Sequence, residues 1–308
     1  MDNRIHCSRN WPYLAAYILV WGTLLAVLVR RCSFPPEEAL AGFVLLALIF
    51  PALALLVTRR TEPLACSVRH PWRESLVLLF YLVFVALVLV QGFGPARSIK
   101  TEPQHTLAIF ALKLVLFVTL PAFLLVLVER YSLSDLFTFA LRRSALLPAL
   151  WMSLAGIAMQ AFLGRGLRDI HDAGLSAQAL FFGMPLSFAF LLFEVGLVEE
   201  FFFRTLLQER LATALRSPWG GMVVAALLFG LVHAPGFYLR PAATMEHLGL
   251  HPSLFFAVGY SIVITSVAGL FLGVLWMQTK NLAVVMIVHA AVDLLPNLVP
   301  FCKAFRLH

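Results

Sequence analysis

Glu199 and Glu200 stand side by side in the run Glu194-Val-Gly-Leu-Val-Glu199-Glu200-Phe-Phe-Phe-Arg204, inside an otherwise apolar stretch. Each ionised group at the centre of a membrane-spanning helix costs about 2.5–3.5 kcal/mol. Glu199, Glu200 and Arg204 together cost on the order of 8–10 kcal/mol before pairing offsets part of it. A helix does not need this triplet in order to span, so the triplet reads as functional. Four-residue spacing puts Glu200 and Arg204 on one helical face, within reach of an ion pair. Glu199 is turned about 100° away and faces something else. The next apolar run ends Phe229-Gly-Leu-Val-His233, and the last contains His289-Ala-Ala-Val-Asp293, again a pair on one helix face. In that pair Asp293 orients His289 or acts beside it.

Two glutamates, two histidines and an aspartate on three late helices are what water activation inside a membrane requires. A carboxylate and an imidazole take the proton, and polar donors hold the developing oxyanion. The same set, Glu199, His233, His289 and Asp293, also suits the carboxylate and imidazole ligands of a divalent metal such as zinc. Both chemistries stand open at this point. His247 and His251 are four apart as well, but the stretch around them reads as a plain loop. His171, Asp169 and Asp172 read as solvated. The sequence has no HExxH helix, no GxSxG elbow and no pair of Asp-bearing spans.

The elements that must carry these residues are membrane helices. The 308 residues are 61% hydrophobic and 13% charged, with a mean hydropathy of +0.90. Soluble domains run about 45–50% apolar and about 25% charged. A water-soluble monomer and a disordered polypeptide are excluded. The Phe-, Leu-, Val- and Ala-rich runs favour helices over a barrel, giving an all-α polytopic membrane protein of eight or nine transmembrane helices. The runs are 11–29, 39–57, 75–90, 107–128, 145–163, 179–198, 220–237, 254–277 and 282–300. The first is too long for a signal-peptide core, and Arg30-Arg31 follows it where a cleavage site should lie. The first four carry almost no ionisable residue, and Lys113 lies close enough to an end to snorkel. Chemistry therefore belongs to the C-terminal half: residues 1–143 hold helices of unassigned role, and 144–308 a catalytic bundle.

The net charge of +7 sits in short connections, where Arg meets lipid headgroups and sets topology rather than binding nucleic acid. Alternate connections hold more Lys and Arg on the N-terminal side, Arg59, Arg60, Arg142, Arg143 and Arg210 among them. This places the N-terminus in the cytoplasm, in keeping with a bacterial inner membrane. Cys7, Cys32, Cys66 and Cys302 are scattered and read as isolated thiols. Gly269 and Gly273 form a small-residue face for helix packing.

In that order on consecutive late helices, Glu199-Glu200-xxx-Arg204, Phe229-xxx-His233 and His289-xxx-Asp293 resemble the EExxxR, FxxxH and HxxxN/D motifs of the CPBP family. That family includes the Rce1-type CAAX prenyl endopeptidases and the Abi or bacteriocin-immunity relatives. The resemblance covers about a third of the sequence. It implies an intramembrane endopeptidase cutting near the end of a membrane-associated or lipid-modified protein, with C-terminal sorting tails as one substrate class. It makes Glu199 the general base with His233 beside it. His289 and Asp293 stabilise the oxyanion or complete the site, and Glu200 and Arg204 brace the helix. The family is described both as metalloproteases and as metal-free glutamate peptidases. Asp293 stands where Asn is frequent, and an ionised carboxylate repels an oxyanion, so it must be protonated, orient His289 or bind a metal. A non-catalytic scaffold or immunity protein and a proton-coupled transporter are the alternatives.

Overall fold

The computed structural model describes residues 10–239 and 252–307. His247 and His251 lie outside the described residues. Among the described residues every regular element is helical, and nine helices are long and apolar enough to cross a bilayer. They are α1 (Trp11–Cys32), α2 (Pro36–Val57), α3 (Pro71–Ser98), α4 (Gln104–Glu129), α5 (Arg143–Leu163), α6 (Ala177–Ala214), α7 (Pro218–Leu239), α8 (Leu254–Thr279) and α9 (Leu282–Ala304). The protein is an integral multi-pass membrane protein. Its outward side chains suit that solvent: Phe80 is 74% exposed and Phe162 86%. No disulfide joins Cys32, Cys66 and Cys302.

The expected run at 179–198 is too short, because α6 continues to Ala214. Its 38 residues do so by burying their own continuation. Phe201, Phe202 and Phe203 are all fully buried, Phe201 stacked on Phe137 at 4.4 Å and Phe202 edge-on to Phe117 at 5.5 Å. Aromatic pairs in these geometries add about 0.5–1.5 kcal/mol each beyond the area they bury. The glutamates therefore lie within a helix interior and not at a helix end that opens to water.

The helices form two compact units, each discontinuous in sequence. The first takes α1, α2 up to Leu56, α3 up to Gln91, α6 from Leu206, α7, and α8 up to Met277. Within it Tyr17 of α1 shares a 2.8 Å hydrogen bond with Ser266 of α8, and Trp21 donates to the Val263 carbonyl at 2.9 Å. Gly269 and Gly273 let α8 approach α7: a Cβ on Gly269 would lie 2.9 Å from Ala226 Cα, and one on Gly273 2.7 Å from Met222. The expected packing face is present. Arg210, which the charge count assigned to a headgroup, is instead buried in a 2.8 Å ion pair with Glu74 of α3.

The second unit takes the connection 57–66, α4, α5, α6 up to Thr205, and α9. Its core is α9, which packs against α5 and α6. Small residues set both seams. A Cβ on Gly156 of α5 would fall 2.6 Å from Val292, and one on Gly196 of α6 2.9 Å from the Met286 carbonyl oxygen. Asn281 fixes where α9 starts. Its amide oxygen accepts from Ala283 N–H as an N-terminal cap, and its side chain exchanges two hydrogen bonds with the Ala140 backbone.

Candidate functional site

On α6 the two glutamates sit between π-wound segments, Leu192–Leu197 before them and Phe201–Gln208 after them. Such winding is rare and concentrates at functional sites. One turn from Gly196, where α6 touches α9, Glu200 reaches His289. Its Oε1 accepts from His289 Nδ1 at 2.8 Å and its Oε2 accepts from Arg204 Nε at 2.8 Å. Glu200 and Arg204 are wholly buried, and His289 is 7% exposed. The bracing pair expected from four-residue spacing is present. A second function of Glu200 was not legible in the spacing: it orients the imidazole of another helix.

Because Nδ1–H of His289 is committed to Glu200, Nε2 is the nitrogen on the Asp293 side. It lies 3.7 Å from Asp293 Oδ2. That is beyond a direct hydrogen bond, and a water or a substrate oxygen can bridge such a gap. Asp293 therefore lies beside His289, while Glu200 holds its Nδ1. Asn297, one turn further on α9, donates to the Asp293 carbonyl at 2.9 Å.

Glu199 faces α4. Its Oε1 lies 3.6 Å from Lys113 Nζ, which also contacts Glu194 Oε1 at 2.5 Å. Lys113 does not snorkel from a helix end. α4 begins at Gln104, so Lys113 lies about 14 Å along it, turned inward to the carboxylates. The early helices do contribute to the site, contrary to the expectation that its polar groups come from the C-terminal half. A cation deep in an apolar span was the signal, since such residues rarely face lipid. Four carboxylates (Glu194, Glu199, Glu200 and Asp293) meet two cations, Lys113 and Arg204, a net charge of −2 with His289 neutral and −1 with it protonated.

His233 belongs to the first unit. Its Nδ1 donates to the Phe229 carbonyl at 2.7 Å, and its ring lies 4.9 Å from that of Phe229. In the neutral imidazole this leaves the lone pair on Nε2. The spacing Phe229-xxx-His233 thus positions one tautomer of the histidine.

Residues 180–295 match the family model described as type II CAAX prenyl endopeptidase Rce1-like. The match covers less than half of the sequence and makes that segment similar to the family. Neither the curated proteins nor the solved structures returned a match to this protein. The matched segment holds all six residues singled out by the motifs, Glu199, Glu200, Arg204, His233, His289 and Asp293. It leaves out Lys113.

A metal was one of the two chemistries open from sequence. The donor atoms of Glu199, His289 and Asp293 do not gather within 4.8 Å of one another, and His289 Nδ1 is already taken by Glu200. As they stand, these three do not make a ligand cage.

Proposed function

We propose that this protein is an intramembrane endopeptidase that hydrolyses a peptide bond near the end of a membrane-anchored or lipid-modified protein, by water activated on Glu199. The reading rests above all on the buried series Arg204–Glu200–His289, which spends a glutamate and an arginine on fixing one imidazole. Glu199 removes a proton from water as the water oxygen adds to the scissile carbonyl carbon. The protonated His289, its Nδ1–H on Glu200, meets the oxyanion through Nε2–H. The C–N bond then breaks as the proton held by Glu199 passes to the departing amine. Asp293 balances the outer edge of the imidazolium, a use for a carboxylate that does not bring it against the oxyanion. The cell compartment that goes with this reading is a bacterial inner membrane.

The test is Glu199→Ala in proteoliposomes with a membrane-anchored, internally quenched peptide. The expected loss of rate is about 10²–10⁴-fold with the melting temperature held. A folded variant that cuts at the wild-type rate sinks the mechanism. The metal content of purified protein, compared with its activity after chelation, tests the metal-free form of the reading.

A further inference from the structure

A cavity of about 120 Å³ lies at the start of α9, where three connections of the second unit meet. Arg60, Thr61 and Glu62 line it from the connection after α2, Arg142 and Ser144 from the start of α5, and Asn281 from the start of α9. The connections are fastened to one another. Thr61 Oγ1 donates to the Ser144 carbonyl at 3.1 Å, Leu64 N–H donates to the Thr279 carbonyl at 3.0 Å, and Asn281 holds the Ala140 backbone. The concavity is thus part of the fold. Its charge has no match inside the protein. Arg60 and Arg142 are exposed, and neither guanidinium has an ion-pair partner among the described residues. Arg142 and Arg143 also stand at the N-terminus of α5, the positive end of the helix dipole, where cations are disfavoured. The first turn of α5 has no acidic residue and no side-chain cap, so its leading N–H groups are left for an outside acceptor. Positive-inside topology calls for cations on this side of the membrane, but not for two of them around one concavity at the wrong end of a helix.

We propose that this cavity holds the phosphate group of an anionic membrane lipid. The donors suit it: guanidinium groups present paired N–H bonds to phosphate oxygens, and the Ser144 hydroxyl and the start of α5 add neutral donors and a favourable dipole. The size suits it as well. The volume is that of about four waters at about 30 Å³ each, room for the oxygens of one phosphate. Pockets for drug-sized ligands run about 300–1,000 Å³, which rules out a nucleotide. The place points to a lipid, because α2 has just ended and α5 and α9 begin here, where hydrocarbon gives way to headgroups. Glu62 is the opposing charge on the lining, and it is exposed and free to turn toward water. The proposal does not depend on the peptidase reading. Since Asn281 belongs to the lining and caps α9, an occupant also steadies the start of the helix that carries His289 and Asp293.

The experiment titrates detergent-solubilised, full-length protein with phosphatidylglycerol and counts retained lipid by native mass spectrometry. Wild type is expected to hold one phosphatidylglycerol at least tenfold more tightly than phosphatidylcholine. Arg60→Gln and Arg142→Gln should each weaken that binding at least fivefold. Arg59→Gln and Arg130→Gln remove the same charge from residues off the lining, and each should change it less than twofold. Ser144→Trp fills the cavity at constant charge and should weaken binding as much as either lining arginine does, while Glu62→Gln should tighten it. Phosphatidylglycerol should raise the melting temperature of wild type and leave that of Arg60→Gln where it was. Equal losses from Arg59→Gln and Arg60→Gln overturn the site, because they leave only diffuse attraction to a basic surface. Wild-type binding by a folded Arg142→Gln overturns it too. Displacement of phosphatidylglycerol by inorganic phosphate at equal concentration overturns the lipid as its occupant.

Discussion

Lys113 of α4 and Glu199 of α6 form an ion pair at 3.6 Å, linking a helix outside the Rce1-like match to the carboxylate proposed as the base. Glu194 completes the group through the same ammonium at 2.5 Å. A lone lysine thus serves two neighbouring carboxylates in a place where water is scarce.

Removing that cation should be felt in rate and in stability. Lys113→Met is expected to lower kcat about 10–100-fold with little change in KM, since an ammonium that positions the base contributes to the reacting arrangement, not to uniform binding. Lys113→Arg should recover much of the loss. The double variant Lys113→Met with Glu194→Gln should melt higher than Lys113→Met alone, because it removes one of the two carboxylates that lose the Lys113 ammonium. Melting temperatures of the four proteins of that cycle provide the check.

Glu199 and Glu200, adjacent in sequence, should fail in different ways. Glu200→Ala takes a partner from both Arg204 and His289, which are buried, and is expected to cost about 3–5 kcal/mol of stability as well as activity. Glu199→Ala should abolish activity at a smaller cost in stability than Glu200→Ala, since Glu199 keeps 9% exposure where Glu200 has none. Urea or thermal unfolding in detergent, run beside the activity assay, separates the two.

The seam between α6 and α9 makes a third prediction. Gly196→Ala forces a methyl to 2.9 Å from the Met286 carbonyl oxygen, a backbone atom that cannot rotate away. It should cost about 1–3 kcal/mol and reduce activity, by moving Glu200 away from His289. At Gly22 of α1 a methyl would meet nothing within 4 Å, and Gly22→Ala should instead be neutral or stabilising by about 0.5–1 kcal/mol.

Acid should loosen the start of α4. Burial pushes the Glu102 carboxyl up, but hydrogen bonds from the Thr106 hydroxyl and backbone N–H, together with His105, outweigh it and hold the group below the usual glutamate range. A carboxyl lowered in this way stabilises the fold above its unfolded value, and that contribution is lost as pH falls through the lowered one. Faster amide exchange at Thr106 below about pH 4 is the expected sign, and Glu102→Gln should remove the pH dependence there.

The helices and the charged triplet were legible because both signals are local. Runs of apolar residues announce spans, and a charge inside one announces a task. Glu200 and Arg204 could be paired from spacing, since both lie on one helix. What spacing could not provide was any relation between helices. Glu200 meets His289 only because Gly196 lets α6 settle against Met286, a fact that depends on two backbones. Lys113 was read as a boundary residue because its helix start was taken three residues late, at 107 and not at Gln104. Arg210 looked like a topology marker until Glu74, 136 residues earlier, was found beside it. The far end of α6 was legible in part, since Phe201–Phe203 carry the apolar run past the glutamates, and their partners on other segments show that this continuation is buried.

Asn281 gives α9 a fixed starting height. Counted from there at about 1.5 Å per residue, His289 stands about 12 Å and Asp293 about 18 Å along the helix, which brackets the midplane of a hydrocarbon layer about 30 Å thick. An amide cut at that depth cannot belong to a fully wound helix, whose carbonyls are closed by their own N–H groups. On the peptidase reading, a client must therefore bring a stretch that unwinds easily, and glycine, proline or a frayed terminus near the cut should mark such clients.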